Sequence, residues 1–163
     1  MTIFVKNKHT LQVDEFKFKC CIGKKGSTRS KREGDKKTPK GTFEIENLYF
    51  RKDRKEKPST LLKCIEIKKD MGWCDDICSK KYNKLFKIEK KIKHEKLKRK
   101  DHKYDFLIPI KYNFSKPITN LGSCIFIHLT KDYKPTAGCV ALKEKDFLIM
   151  LKLIKKNSKI KIF

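Results

Sequence analysis

The sequence predicts a mainly β domain, a sandwich or partly open barrel with one packed C-terminal helix and a basic, partly helical flap. Three observations carry this expectation. Short runs that alternate apolar and polar residues recur along the chain, which is the period of a half-buried strand. Only Lys143–Asn157 sustains strong helical spacing over several turns. Turn-forming stretches separate the runs at short intervals, as in all-β layer architectures. The 163 residues suggest one domain, 1–163, long enough to bury a core without disulfide staples. No internal repeat or linker interrupts it.

Taken in order, Thr2–Lys6 and Thr10–Cys21 read as a hairpin. In the second, Leu11, Val13, Phe16, Phe18 and Cys20 fall mostly on one face. Gly23 to Gly41 is a long polar loop with four glycines, and long loops inside compact domains are often functional. Thr42–Phe50 is an alternating strand, and Arg51–Ser59 a charged loop. Leu61–Ile67 is a short strand. Asp70–Ser79 reads as a turn carrying the sole tryptophan, Trp73. Tyr82–Lys103 is basic, with Leu85, Ile88, Ile92 and Leu97 as a thin apolar stripe, so short helices in a flap are expected. Tyr104–Tyr112 is a strand in which Pro109, having no N–H, argues for an edge or a bulge. Ser123–Leu129 is a central strand, and Thr136–Leu142 follows as a short segment holding Cys139. In Lys143–Asn157, Phe147, Leu148, Met150, Leu151 and Ile154 make one apolar face, with lysines at the C-terminal end where the helix dipole favours them. Lys159–Phe163 closes the chain as a strand.

The net charge is +24, and only five of the basic residues are arginines. A polyanion footprint is one reading of such a charge. Readers of bases lean on the arginine fork, and the lysines here are spread along the whole chain. A lysine-rich surface without a specific nucleic-acid partner is therefore the expectation, leaving room for a general attraction to anionic polymers such as cell-wall carboxylates. Seven cysteines cannot all pair, and several sit in apolar runs as small hydrophobes do, which points to a reducing compartment. Cys74 and Cys78 with His94 and His102 do not fit a zinc-finger spacing, so no metal or other cofactor is expected. The first residues carry no apolar segment of signal-peptide length, and no stretch reaches transmembrane length. A soluble monomer is expected, cytoplasmic by this criterion.

The segment Ile125–Leu142 carries the candidate chemistry. His128 ends an apolar run and Cys139 opens the next, eleven residues on. That separation suits a strand, a loop of about eight residues and a neighbouring strand. An imidazole beside a thiol can take its proton and generate the nucleophilic thiolate. Gly138 lets a substrate carbonyl approach the main chain, where the N–H groups of residues 138 and 139 are candidate oxyanion donors. On spacing alone, a satisfied structural histidine and an inert buried cysteine are the commoner outcome.

More of the chain bears on that choice. His128 followed by Pro135-Thr136-Ala137-Gly138-Cys139-Val140 resembles the active-site signature of the L,D-transpeptidase catalytic domain, the YkuD domain. Glu33-Gly34-Asp35, Thr38-Pro39 and Gly41 resemble the EGD-x-x-TP-x-G loop of one branch of that family. Gly72-Trp73-Cys74-Asp75-Asp76, followed by Tyr82-Asn83, resembles its GWCDD…YN segment, and Glu95, Asp101, Tyr104-Asp105 and Tyr112-Asn113 match further positions.

The resemblance implies that Cys139 attacks the carbonyl of the L-configured centre of a diaminopimelate residue in a peptidoglycan tetrapeptide stem. D-alanine leaves with His128 as base and then acid, and an amine resolves the thioester. Resolution by water would make the same site an L,D-carboxypeptidase. A basic binding module with an inactive dyad is the alternative of another class. The resemblance also implies action in the cell envelope. Candidate substrate contacts are Thr136, Arg32, Asp75, Asp76 and Trp73. Many relatives place a histidine at the position of Ala137 and an arginine at that of Ala141. Arg32, Lys37 and Lys143 are candidates to replace that arginine as carboxylate anchor.

Overall fold

The computed structural model describes residues 1–163, in fifteen strands and one helix. The expected hairpin forms from β1 (Thr2–Val5) and β2 (Thr10–Val13). The run expected as one strand to Cys21 instead breaks at Asp14–Glu15, where Asp14 takes a positive φ of 51°. Short-chain aspartate tolerates that conformation, and β3 (Phe16–Lys19) folds back on β2 as a second hairpin. The polar loop holds a small parallel pair, β4 (Ser27–Thr28) and β5 (Thr38–Pro39). Thr42–Phe50 also divides, into β6 (Gly41–Glu44) and β7 (Leu48–Phe50), which join different sheets. Next come β8 (Cys64–Glu66) and β9 (Met71–Cys74). The GWCDD segment is thus half strand, where a turn was expected.

The basic stretch after Tyr82 contains no helix. It forms β10 (Leu85–Lys87) and β11 (His94–Lys96), antiparallel on either side of β9. The stripe spacing of three, four and then five residues drifts off one helix face at Leu97, the one member that is fully buried. Pairing on both edges of β9 satisfies this backbone and brings Leu97 into a core. The remaining elements are β12 (Phe106–Pro109), β13 (Phe126–Leu129), β14 (Val140–Leu142), α1 (Glu144–Leu153) and β15 (Lys159–Ile162). β12 is an internal strand. Pro109 is accommodated at its end, opposite Phe126 of β13 and beyond the last residue paired with β7.

Two five-stranded sheets, in orders β3-β2-β1-β15-β6 and β14-β13-β12-β7-β8, form an open sandwich. Alternation sends Ile3, Val5, Leu11, Val13, Ile160 and Ile162 from the first and Phe50, Phe106, Ile108, Ile127, Leu129, Val140 and Leu142 from the second into one core. Phe147, Met150, Leu151 and Ile154 of the helical segment close it, with Phe147 stacked on Phe106 at 6.0 Å. The outer face of the second sheet is also covered. Tyr49, Leu107, Phe126 and Cys139 meet Trp73, Leu97 and Tyr104 in a smaller cluster beneath the β10-β9-β11 sheet. Burial on both faces explains why β12, β13 and β14 are buried throughout and, His128 apart, apolar.

Truncating Phe147 to alanine removes a fully buried ring from the main core. A loss of about 3–5 kcal/mol is expected, measured as a fall in the denaturant midpoint with unchanged slope.

Candidate active site

The site forms where β13 and β14 run parallel. His128 lies opposite Ala141 in the ladder, with Ile127 opposite Val140 and Leu129 opposite Leu142. Side chains two apart share a face. Phe126 and His128 therefore project on the same side as Cys139 and Ala141, while Ile127, Leu129, Val140 and Leu142 enter the core. A cavity of about 940 Å³ opens on that face, and His128, Gly138, Cys139 and Ala141 line it.

The turn before β14 is tightly held. Thr136 Oγ1 accepts the Gly138 N–H at 3.1 Å and donates to the Cys139 carbonyl at 2.6 Å. Gly138 has φ 151°, and a Cβ there would lie 3.0 Å from the Lys37 carbonyl oxygen. A side chain is thus excluded by strain and by the close approach of the polar loop. The outer edge of β14 is covered by residues 21–24: Cys21 and Ala141 exchange hydrogen bonds at 2.9 Å, and Lys24 N–H donates to the Thr136 carbonyl. The Cys139 N–H has no acceptor within the chain.

The imidazole is oriented by the main chain. Nδ1 of His128 lies 2.9 Å from the Leu129 carbonyl. A carbonyl only accepts, so Nδ1 carries the hydrogen and Nε2 of the neutral ring is left as the basic nitrogen. The Tyr104 ring meets His128 edge to face at 5.4 Å. The sulfur of Cys139 accepts the Phe126 N–H at 3.4 Å, and its S–H donates to the Cys124 carbonyl at 3.2 Å. No hydrogen bond joins the sulfur to the imidazole in this resting arrangement. Burial dominates both titrations. It pushes the Cys139 thiol up to about 12 despite the Phe126 N–H. It lowers His128 to about 4, against the Leu129 carbonyl, with Lys103 and Arg99 lowering it further. The resting pair is therefore a neutral thiol and a neutral imidazole.

The other residues singled out in the sequence fall in several places. Thr136, Asp75 and Asp76 line the cavity. Asp75 Oδ1 is buried without a partner. Burial raises the Asp75 carboxyl, Lys93 partly offsets this, and Glu33 adds to it. Trp73 is not on the wall. It is 3% exposed and packs edge to face on Phe126 at 5.3 Å, beneath the site. Arg32, Lys37 and Lys143 do not line the cavity; its cations are Lys31, Lys93, Arg99, Lys103, Lys131 and Lys134.

The two motif loops brace the site. Lys31, nearly buried, pairs with Asp35 at 2.5 Å, and Asp35 also accepts the N–H groups of Arg32 and Lys37. Burial opposes ionisation of Asp35, but these donors hold its carboxyl below the usual range. Glu33 accepts hydrogen bonds from the Tyr82 and Ser123 hydroxyls, joining the polar loop to the GWCDD…YN segment and to the approach to β13. Asn83 and Cys124 had no individual role in the sequence reading. Tyr82-Asn83 was visible there as a motif, but the importance of Cys124 lies in a carbonyl, which every residue has.

This buried thiol, on the same face as a carbonyl-held imidazole and lining the same cavity, has the parts for nucleophilic acyl transfer. The chain matches YkuD, the L,D-transpeptidase catalytic domain, over residues 1–162, and it belongs to that family. No curated protein and no solved structure matches it. No helix is long and apolar enough to cross a membrane.

The His128 shift sets a stability window. The ordinary value is 6.5 and the folded value about 4, so below pH 6.5 the unfolded chain binds a proton that the folded chain refuses. The contribution is fully present above pH 6.5 and is lost progressively down to about pH 4, on the order of 3 kcal/mol over the window. Denaturant titrations at pH 7 and pH 4 should show a smaller loss for His128→Asn than for the parent.

Proposed function

We propose that the protein is a cysteine-dependent L,D-transpeptidase acting on peptidoglycan tetrapeptide stems through a thioester. The observation that carries this reading is the shared face of Cys139 and His128, together with the Leu129 carbonyl that leaves Nε2 basic. In the first half-reaction the Cys139 S–H turns from the Cys124 carbonyl toward His128, and Nε2 takes the proton. The sulfur bonds to the carbonyl carbon of the L-centre of diaminopimelate. The negative charge on oxygen is met by the Cys139 N–H, which has no other acceptor, with Gly138 as second donor if its N–H leaves Thr136. The C–N bond to D-alanine breaks, and the imidazolium returns the proton to the departing amine. An acceptor amine then attacks the thioester, giving its proton to Nε2, and sulfur leaves to recover the thiol. Water in place of the amine gives the carboxypeptidase outcome.

The walls suit a zwitterionic peptide. Asp75 with its unpartnered oxygen, Asp76 and Glu33 are suited to an ammonium group of the stem. Lys103, near His128, is suited to a carboxylate and takes the part first given to Arg32, Lys37 and Lys143, whereas the Arg99 guanidinium is already held by Asp101 and Glu95. Thr136 acts by holding the Gly138–Cys139 turn, and Trp73 by supporting the floor.

Incubation with a disaccharide-tetrapeptide and an acceptor amine, followed by mass spectrometry, should show loss of D-alanine and a cross-linked product. With the stem's own side-chain amine blocked and no acceptor amine added, only the hydrolysed tripeptide is expected. Cys139→Ala should abolish both products and the covalent adduct with a carbapenem-type acylating agent. Turnover surviving in that variant would sink the assignment of the nucleophile. Sub-micromolar RNA or DNA binding at physiological salt without any thiol acylation would favour the basic binding module instead.

A further inference from the structure

The resting contact of the Cys139 thiol is made by a residue in an unusual backbone state. Cys124, a non-glycine, has φ 55°, and its carbonyl oxygen is 3.2 Å from the Cys139 sulfur. Such a conformation persists only where its surroundings over-determine it. Here the surroundings converge on one side chain, Asn83. Its Oδ1 accepts the Cys124 N–H at 3.1 Å and the Trp73 Nε1–H at 2.9 Å. Its Nδ2 donates to the Tyr112 and Asn113 carbonyls at 3.1 and 2.6 Å. All four hydrogen-bonding positions of the amide are filled. The orientation of the amide follows from the chemistry, since a reversed amide would set N–H against N–H at both Trp73 and Cys124. Asn83 is itself 3% exposed and left-handed, at φ 53°, with its N–H on the Cys74 carbonyl at 2.8 Å. It thus clasps both ends of the chain segment 112–124.

The two contacts of the sulfur oppose each other. The Phe126 N–H favours a thiolate, whereas a carbonyl can only receive the proton of a thiol and repels the anion. The aim of the Cys124 carbonyl therefore decides how firmly the proton is kept. We propose that Asn83 is a positioning residue for the nucleophile: by clamping Cys124 in its left-handed conformation, it aims the Cys124 carbonyl at the sulfur and keeps Cys139 a proton-bearing thiol, turned away from His128, until substrate enters the cavity. Asn83 does not line that cavity, so it acts through Cys124 and not on the substrate. The proposal rests on Cys139 being the nucleophile of the stem reaction, but its first readout needs no stem.

The test is the pH profile of Cys139 alkylation by iodoacetamide, resolved from the other six cysteines by peptide mass spectrometry. In Asn83→Ala the Cys124 carbonyl is released, and the midpoint is expected to fall by about one pH unit, or roughly tenfold faster alkylation at a fixed pH below both midpoints. Stem turnover should change in kcat with KM nearly unchanged. Trp73→Phe removes only one N–H from Asn83 and should shift the midpoint in the same direction by less; it decides the matter if Asn83→Ala fails to fold. An unmoved midpoint in a cooperatively folded Asn83→Ala, or in Trp73→Phe if that alone folds, overturns the proposal. So does a rise in KM with kcat unchanged. A shifted midpoint in a chain whose parent shows no stem turnover supports the clamp and counts against the enzymatic reading alone.

Discussion

The parallel register of β13 on β14, with His128 facing Ala141, is the constraint on which the site depends. Both strands are buried on both sides, and alternation assigns each residue to the sandwich core or to the cavity. A slip of one residue would send Cys139 into the core and Val140 to the cavity. That register is secured from several directions. Ile127, Leu129, Val140 and Leu142 anchor one face, residues 21–24 pair with the free edge of β14, and Lys37 presses on Gly138 from outside.

The same burial sets the electrostatics. With 43 lysines and arginines against 19 acids, the chain is strongly cationic, yet the cavity has walls of both signs. Inside it, removal from water outweighs nearby charge, so the dyad rests uncharged. A thiolate–imidazolium pair would have to form against that desolvation.

Much of this was legible in the sequence. Alternation located most strands, the one strong helical stretch became α1, and the His…Gly-Cys spacing matched two neighbouring strands. The misreadings have physical causes. At Asp14–Glu15 and Glu46–Asn47 two polar residues fall together and the apolar phase shifts by one, from Leu11 and Val13 to Phe16 and Phe18 and from Phe43 and Ile45 to Leu48 and Phe50, so the chain reversal and the change of sheet left a signal that reading a single strand across each break passed over. The Leu85–Leu97 stripe looked helical because few apolar residues are needed to suggest a face; pairing with β9, which is distant in sequence for β11, decided the outcome. Trp73 was a candidate substrate contact because it lies in the GWCDD segment, but its ring fills the space under Phe126. The basic residues expected as carboxylate anchors were chosen on reach alone, whereas Lys103 and Arg99 come to the cavity through the folding of the β10-β9-β11 region. Cys124 and Asn83 were beyond such reading because their importance lies in a carbonyl direction and a backbone angle.

The pairing of β15 between β1 and β6 has a consequence for how the domain is made. This strand, which follows all the others described in sequence, occupies an internal position in the first sheet, in parallel with β1. Until it docks, β1 and β6 have open edges and the main core lacks Ile160 and Ile162. Such long-range closure slows folding and prolongs exposure of unpaired strands. A chain still emerging from the ribosome would hold β13 and β14 without the completed sandwich behind them, so reactivity at Cys139 should mature late, as a property of the finished domain.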